Sequence, residues 1–265
     1  MVSHILRRRT KKHDSNEYNG AETGWHTHRD AGEGGRTMLG IIGGTSLFHA
    51  NLPRLAKTVT NTPYGPAELY LGEVALLLRH QFNRPPHRIN FRAMASALAL
   101  AGVDRVVALG SVGSLRTMHP PGTILLPDDY LSVAPVPSIH NHTREHVMPA
   151  IDDGLRTRLA DLIEDARNGG VYAQTAGPRI ETRSEIRALA QIADVVGMTV
   201  ASEAALCNEL GIRFAAVCMI DNYAHGVTED ILSYDHILAM AKANTARTER
   251  IVESVIDQLG AANDH

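Results

Sequence analysis

From Met38 onward the chain alternates short runs of β-branched and other apolar residues with longer stretches whose apolar residues recur at helical spacing. No other feature of the sequence restricts the fold as much, because the two periods demand different elements in regular succession. Strands are predicted at Met38 to Ile42, Leu69 to Leu78, Arg105 to Leu109, Thr123 to Leu126, Asp194 to Met198 and Phe214 to Ile220. Helices are predicted over Arg92 to Val103, over Asp152 to Asn168 and over Asp235 to Leu259. The second places Leu155, Leu159, Leu162 and Ala166 on one face ahead of Gly169-Gly170. The third carries Ile237, Leu238, Ala241, Ile251, Val252, Val255, Ile256 and Leu259 at helical spacing. Such alternation implies the α/β class: a single domain, residues 38–262, with a central mixed, largely parallel twisted sheet flanked by helices.

Residues 1–37 follow other rules. Arg7, Arg8, Arg9, Lys11 and Lys12 cluster, and Gly, Asp, Asn and His then dominate without apolar periodicity, so a disordered basic and polar extension is expected. It reads as a solvated tail, or as a stretch upstream of a second start at Met38, in preference to a targeting or nucleic-acid patch. Its seven basic and five acidic residues give +2, and the rest of the chain, with 19 basic against 24 acidic, carries −5. A field of that sign and size favours neither nucleic acid nor an anionic membrane as partner. No apolar run approaches the roughly 18 residues of a membrane span. Cys207 and Cys218 supply neither a disulfide framework nor a metal-ligand set, which suits a reducing cytoplasm, the expected location.

In α/β sheets ligands sit where strands end, so polar and glycine-rich residues just past predicted strands are the candidates for chemistry. Gly43-Gly44-Thr45-Ser46 follows the first strand and can turn backbone N–H groups and hydroxyls toward an anion. Its spacing does not fit a dinucleotide fingerprint. Arg79-His80 follows the run ending at Leu78 and offers a forked donor set with a further ring donor. Gly110-Ser111-Val112-Gly113-Ser114 reads as a second small-residue loop after Arg105 to Leu109. Each alone is also compatible with a plain turn or a surface pair; together they point to an oxyanion site. His140, His142 and His146 have a spacing compatible with zinc. They fall in a Pro-, His- and Asn-rich stretch, Val133 to Pro149, without strand or helix pattern, so a surface loop and no metal are expected.

Gly177-Pro178-Arg179-Ile180-Glu181-Thr182, Gly197-Met198-Thr199 and Asp221-Asn222-Tyr223-Ala224 complete the set. With Ile41-Ile42-Gly43-Gly44-Thr45, Arg79-His80, Ile89-Asn90-Phe91 and Gly113-Ser114-Leu115-Arg116 they occur in the order seen in the trimeric purine nucleoside phosphorylase and methylthioadenosine phosphorylase family. The chain resembles that family from about Met38 to about Leu259. The resemblance implies phosphorolysis of a purine nucleoside to free base and pentose 1-phosphate, in a homotrimer or a dimer of trimers, with phosphate as co-substrate and no cofactor.

By matching positions the resemblance places Thr45, Arg79, His80, Ser111 and Thr199 around phosphate. It places Val112, Gly113 and Met198 along the nucleoside, and Glu181 and Asn222 at the base as the catalytic pair. Asn222 stands where 6-aminopurine enzymes tend to have Asp, and Glu181 where adenine-directed relatives carry a small hydroxyl residue. Both therefore imply 6-oxopurines: inosine, guanosine or S-methyl-5′-thioinosine. Read from residue type alone, Glu181 is equally a helix-start acid and Asn222 a turn cap. Tyr234, Ile237 and Leu238 match the segment over the 5′ substituent, but tyrosine departs from both the His and the aliphatic residue found there and leaves hydroxyl or methylthio open. His146 matches a residue that reaches the neighbouring subunit's site. The alternatives are an S-methyl-5′-thioadenosine phosphorylase and, from another class, a catalytically inactive purine-binding protein.

Overall fold

A computed structural model of the chain describes residues 37–44, 47, 55–229, 239–240 and 242–260, all within one compact unit, residues 35–265. The expected extension 1–37 thus lies outside the described residues except for Thr37.

Strand β1 (Met38–Gly43) runs parallel between β4 (Ala75–Leu78) and β5 (Val103–Ser114). All of β1 after Met38 is buried, as its near-continuous apolar run requires for a strand covered on both faces. On one side β3 (Gly65–Leu71) and β2 (Ala56–Thr62) extend the sheet as an antiparallel hairpin. On the other side, β5 lies parallel to β11 (Arg213–Tyr223), in register from Arg105 opposite Arg213 to Ser114 opposite Tyr223. Ile220 faces Val112 and Asn222 faces Gly113, so Asp221 is the extra residue of a bulge.

The end of β5 also takes β10 (Val195–Gly197) as an antiparallel neighbour at Gly113 and Ser114, and the sheet continues through β9 (Val171–Gln174) to β7 (Asp129–Ser132). Strand β6 (Ile124–Leu126) flanks β11, and the short β8 (Arg167–Asn168) flanks β6. Among the described residues these eleven strands form one mixed sheet. Among the described residues the α-helices with defined bounds around it are α1 (Phe91–Leu100), α2 (Asp153–Leu162), α3 (Arg183–Leu189), α4 (Val200–Glu209) and α5 (Thr245–Leu259). Leu39, Ile41, Leu77, Val106, Phe214 and Val217 are fully or almost fully buried between the layers, each contributing on the order of 1.5–3 kcal/mol.

The α/β class and the central strands agree with the sequence reading, and several boundaries do not. Leu69 to Leu78 is two antiparallel strands instead of one, because Gly72 N donates to the Val74 carbonyl in a tight turn between them. The helix predicted to reach Asn168 stops at Leu162: Ile163 is already extended, Asp165 has φ 62°, and Arg167 and Asn168 pair with β6. The helix predicted to run to Val103 ends at Leu100, and Val103 already belongs to β5. Gly110 to Ser114 is not a loop. Strand β11 pairs it throughout and β10 joins at Gly113 and Ser114, which holds it extended despite its weak strand propensity. The last helix is continuous only from Thr245. Residues 239–240 and 242–243 are helical ahead of a turn at Asn244, and Asp235 to Leu238 lie outside the described residues. Its buried face of Ile251, Val252, Val255 and Leu259 is the predicted one.

Candidate active site

Most of the site residues named from the sequence lie at the C-terminal ends of β4, β5, β10 and β11 or on the segments that follow them; β10 and β11 both pair with β5, and β1 lies between β5 and β4. Arg79 N donates to the Gly43 carbonyl at 2.8 Å, which brings the end of β1 against the end of β4. A Cβ on Gly44 would stand 2.8 Å from Arg79 Nη1, so glycine there keeps that end of the guanidinium uncovered. Thr45 lies outside the described residues.

The Arg79 fork grips a carboxylate. Nε and Nη2 donate to Glu203 Oε1 and Oε2 at 2.7 and 2.9 Å, and Nη1 donates to the Leu109 carbonyl at 2.7 Å. Both partners of the ion pair are buried, at 3% exposure each. Burial alone would lower the Arg79 pKa, but the Glu203 charge and its hydrogen bonds outweigh it and hold the guanidinium above its ordinary value. Three of its five N–H groups are thereby engaged, leaving one hydrogen on each Nη for a ligand.

His80 Nδ1 donates to the Arg84 carbonyl at 2.9 Å. Burial, together with the neighbouring Arg79 charge, lowers the imidazole pKa. The neutral ring therefore carries its hydrogen on Nδ1, and Nε2 presents a lone pair.

On β5, Ser111 is exposed and its hydroxyl donates to Oδ2 of Asp221, a carboxylate only 2% exposed. Asn244 Nδ2 donates to Asp221 Oδ1 at 2.8 Å. Burial pushes the Asp221 carboxyl above its ordinary pKa, and the two hydrogen bonds offset part of that shift.

Thr199 caps α4, where the backbone N–H groups of Thr199 and Val200 donate to the buried Tyr172 hydroxyl at 3.2 and 3.3 Å. Burial raises the pKa of that phenol, so it stays neutral and can accept both bonds. The Thr199 hydroxyl itself has no hydrogen-bond partner among the described residues. Just ahead of it, Met198 lies under the loop after β9: Gly177 has φ 60° and a Cβ there would meet Met198 Sδ at 2.4 Å.

The same loop carries Glu181, whose Oε1 accepts from Thr175 Oγ1 at 2.5 Å. His225 Nδ1 donates to the Glu181 backbone carbonyl at 3.0 Å, so the turn after β11 is fastened to this loop. Asn222, at the end of β11, faces Gly113 across the ladder and donates from Nδ2 to the Tyr223 carbonyl at 2.8 Å. A carbonyl can only accept, so this bond fixes the amide: Oδ1 and the second Nδ2 hydrogen face away from it.

The structure therefore places Arg79, His80, Ser111, Val112, Gly113, Met198, Thr199 and Asn222 at the C-terminal ends of β4, β5, β10 and β11, with Glu181 on the loop after β9. Tyr234, Ile237 and Leu238 lie outside the described residues. His146 is exposed in the irregular stretch between β7 and α2, and no hydrogen bond joins it to these residues within the described chain. His140 there contacts Thr143 and Glu145, and among the described residues no three His, Cys, Asp or Glu side chains gather as metal ligands.

Two central groups escaped the sequence reading. Glu203 carried a visible signal, a lone acid inside the otherwise apolar and small-residue run Val200 to Cys207, where burial without a cation would be prohibitive. Asp221 stood beside Asn222 in a quoted motif, and only the bulge reveals that it points to Ser111.

Residues 38–257 match the Phosphorylase superfamily. The chain is 39% identical over 235 residues to an Archaeoglobus fulgidus protein named "Probable 6-oxopurine nucleoside phosphorylase", covering 84% of this chain and 97% of that one. It is 35% identical over 234 residues to a Methanocaldococcus jannaschii protein named "Probable S-methyl-5'-thioinosine phosphorylase", covering 83% and 92%. In fold it resembles the methylthioadenosine phosphorylase of Schistosoma mansoni solved with adenine, at TM-score 0.78 and 22% identity, over 86% of this chain and 93% of that one. The strand-end cluster and these matches across nearly the whole length of the relatives lead to one assignment: the chain belongs to the Phosphorylase superfamily.

Proposed function

We propose that the chain cleaves the N-glycosidic bond of 6-oxopurine nucleosides with inorganic phosphate. The observation that carries the reading is the Asn222 amide, locked on the Tyr223 carbonyl, with the buried Glu181 on the loop that His225 fastens to the turn after β11. Asn222 offers one N–H to a purine O6 and its Oδ1 to a protonated N7, while Glu181 Oε2 is available to accept from N1–H. A phosphate oxygen forms its bond to C1′ as the C1′–N9 bond breaks, and the electron pair leaves on the base, whose N7 is protonated. Asn222 stabilises that protonated base, Arg79, Ser111 and Thr199 hold the nucleophile in line, and Nε2 of the neutral His80 ring accepts from the hydroxyl of the hydrogen phosphate ion. Met198 lies under the sugar, and Val112 and Gly113 form the strand edge it rests on.

The reading is supported by the names of the two relatives, one a 6-oxopurine nucleoside phosphorylase and the other an S-methyl-5'-thioinosine phosphorylase. Phosphate is a co-substrate and no cofactor is needed. The working assembly is a homotrimer or a dimer of trimers in the cytoplasm, with Thr45, Tyr234, Ile237, Leu238 and a neighbour's His146 completing the site. Residues 1–37 are dispensable, so a chain starting at Met38 retains full activity. No helix among the described residues is long and apolar enough to cross a membrane.

The test is base release from inosine, guanosine, adenosine, methylthioadenosine and methylthioinosine, each with and without phosphate. Release of hypoxanthine should require phosphate or arsenate; equal release without either would make the protein a hydrolase. A 6-amino base leaves Glu181 without its N1–H partner and opposes two donors at Asn222. At about 1–3 kcal/mol for each unpaired buried group, the oxo preference should reach about thirtyfold to ten-thousandfold when both groups act. Asn222→Asp with Glu181→Ser should erase it, and an unchanged ratio would remove both residues from the base site.

A further inference from the structure

The geometry points to Asp221 as a proton-holding positioning residue for phosphate: the anion binds the form in which Asp221 is protonated and Ser111 turns its hydroxyl hydrogen outward. This rests on the proposed phosphorolysis and adds to it a proton that travels with phosphate.

In the state observed, the single Ser111 hydroxyl hydrogen is spent on Asp221 Oδ2. An arriving phosphate would meet only oxygen lone pairs on Ser111, with a negative carboxylate behind them. That arrangement repels the ligand it is meant to hold. One proton from solvent resolves the conflict. It binds Asp221 Oδ2, the carboxylic acid O–H donates to Ser111 Oγ, and the Ser111 hydrogen swings to a phosphate oxygen. No covalent bond between heavy atoms changes. Asn244 continues to donate to Oδ1 in both states, so the carboxyl stays in place while its charge changes.

The surroundings favour the neutral form. Asp221 is 2% exposed, and burial raises its pKa. From β5 only the Ser111 hydroxyl meets it. From α5 come Asn244 and, one turn on, Arg247, whose guanidinium is directed to the Gly122 carbonyl. The buried acid of α4, Glu203, is taken up by Arg79. Strand β6 contributes no ionisable side chain, and α2 packs on the opposite half of β11, where Asp152 N meets the Phe214 carbonyl. No cation is therefore paired with Asp221 among the described residues.

The experiment compares the wild type with Asp221→Asn, whose amide retains a donor to Ser111 and an acceptor for Asn244. The ratio of the two phosphate KM values, wild type over variant, should rise with pH, approaching about tenfold per unit above the Asp221 titration, while the ratio of kcat values stays flat. Taking the ratio removes the titrations of His80 and of phosphate itself. Parallel KM profiles would overturn the inference. Sulfate, which has no titratable proton in this range, gives a check independent of turnover. Calorimetry in two buffers of different ionisation enthalpy should show proton uptake on sulfate binding to wild type and less with Asp221→Asn or Ser111→Ala. Equal uptake in all three, or none in wild type, would refute it. Base release that does not need phosphate would sink the phosphorolysis reading instead, whereas phosphate-dependent release with parallel profiles sinks only this inference.

Discussion

Two arginines are almost completely buried, one at each end of the sheet, and they are held differently. Arg79, at the C-terminal end of β4, is matched by the equally buried Glu203 and keeps an edge open beside Gly44. Arg105, at the start of β5, is 1% exposed and gives Nη2 and Nε to the Leu259 carbonyl at 2.6 and 3.3 Å, and Nη1 to Asp104. Asp104 is partly exposed and also accepts from Met38 N and Arg213. The second arginine is thus a clamp: a cation on the last carbonyls of α5 ties the end of the chain's final helix to the beginnings of β1, β5 and β11. A cavity of about 470 Å³ beside it, lined by Arg105, Arg158, Arg213 and the first turn of α2, contains none of the site residues. Buried charge is tied to backbone carbonyls and a surface acid at one end, and at the other to a buried carboxylate at the proposed phosphate site.

The largest test of that contrast is Glu203→Ala. It strands Arg79 as an unpaired buried cation, so urea denaturation should show a loss of about 3–5 kcal/mol and phosphate-dependent turnover should fall with it. Glu203→Gln, which keeps a hydrogen-bond acceptor, should lose less. Arg105→Ala should cost about 2–3 kcal/mol while leaving kcat/KM unchanged once the protein is folded. A drop in kcat/KM for folded Arg105→Ala would mean that the two ends are coupled.

Helix caps repeat the comparison on a smaller scale. Thr182 and Glu185 form a capping box at the start of α3, next to Glu181, whereas Asp152 caps α2 at the far end by accepting from Leu155 N at 2.7 Å. Replacing either Thr182 or Asp152 by Ala should cost about 1 kcal/mol, but only Thr182→Ala should raise the nucleoside KM. The smallest effect concerns pH. Arg179, with the Thr182 backbone N–H, holds the Glu185 carboxyl down at about 2. A depressed folded-state pKa adds stability above the unfolded value, and that stability is lost as pH falls through the interval from 4.5 to about 2. The stability difference between wild type and Arg179→Ala should therefore fade over that acid interval and be steady above it, as acid titration of the circular dichroism signal would show.

What the sequence disclosed follows from which forces act locally. Strands such as Met38–Gly43 are buried on both faces and announce themselves as apolar runs, and the strand-end positions of Arg79-His80 and Asn222 follow from them. Gly110 to Ser114 looked like a loop because its extended shape is imposed by neighbours far away in the chain. Helix α4 was not noticed because Val200, Ala201, Ser202, Ala204, Leu206 and Cys207 are buried around it, which leaves no polar face to set a period. Glu203 and Asp221 were hidden for a related reason: their partners, Arg79 and Ser111, lie more than a hundred positions away.

The ladder between β5 and β11 has a consequence for how this site accommodates ligands. Its hydrogen bonds run on into Gly110–Ser114 and up to Tyr223, so the strand ends proposed as the floor of the site lie inside the most extensively paired part of the described sheet. Amide hydrogens there should exchange with solvent only through near-global opening, and a bound nucleoside should slow them little. Protection gained on binding should instead appear in the segments around the floor, such as the Thr175 to Glu181 loop. New specificity in such a protein has to arise by exchanging side chains on a fixed backbone, or in the covering segments, because the floor itself has no slack to give.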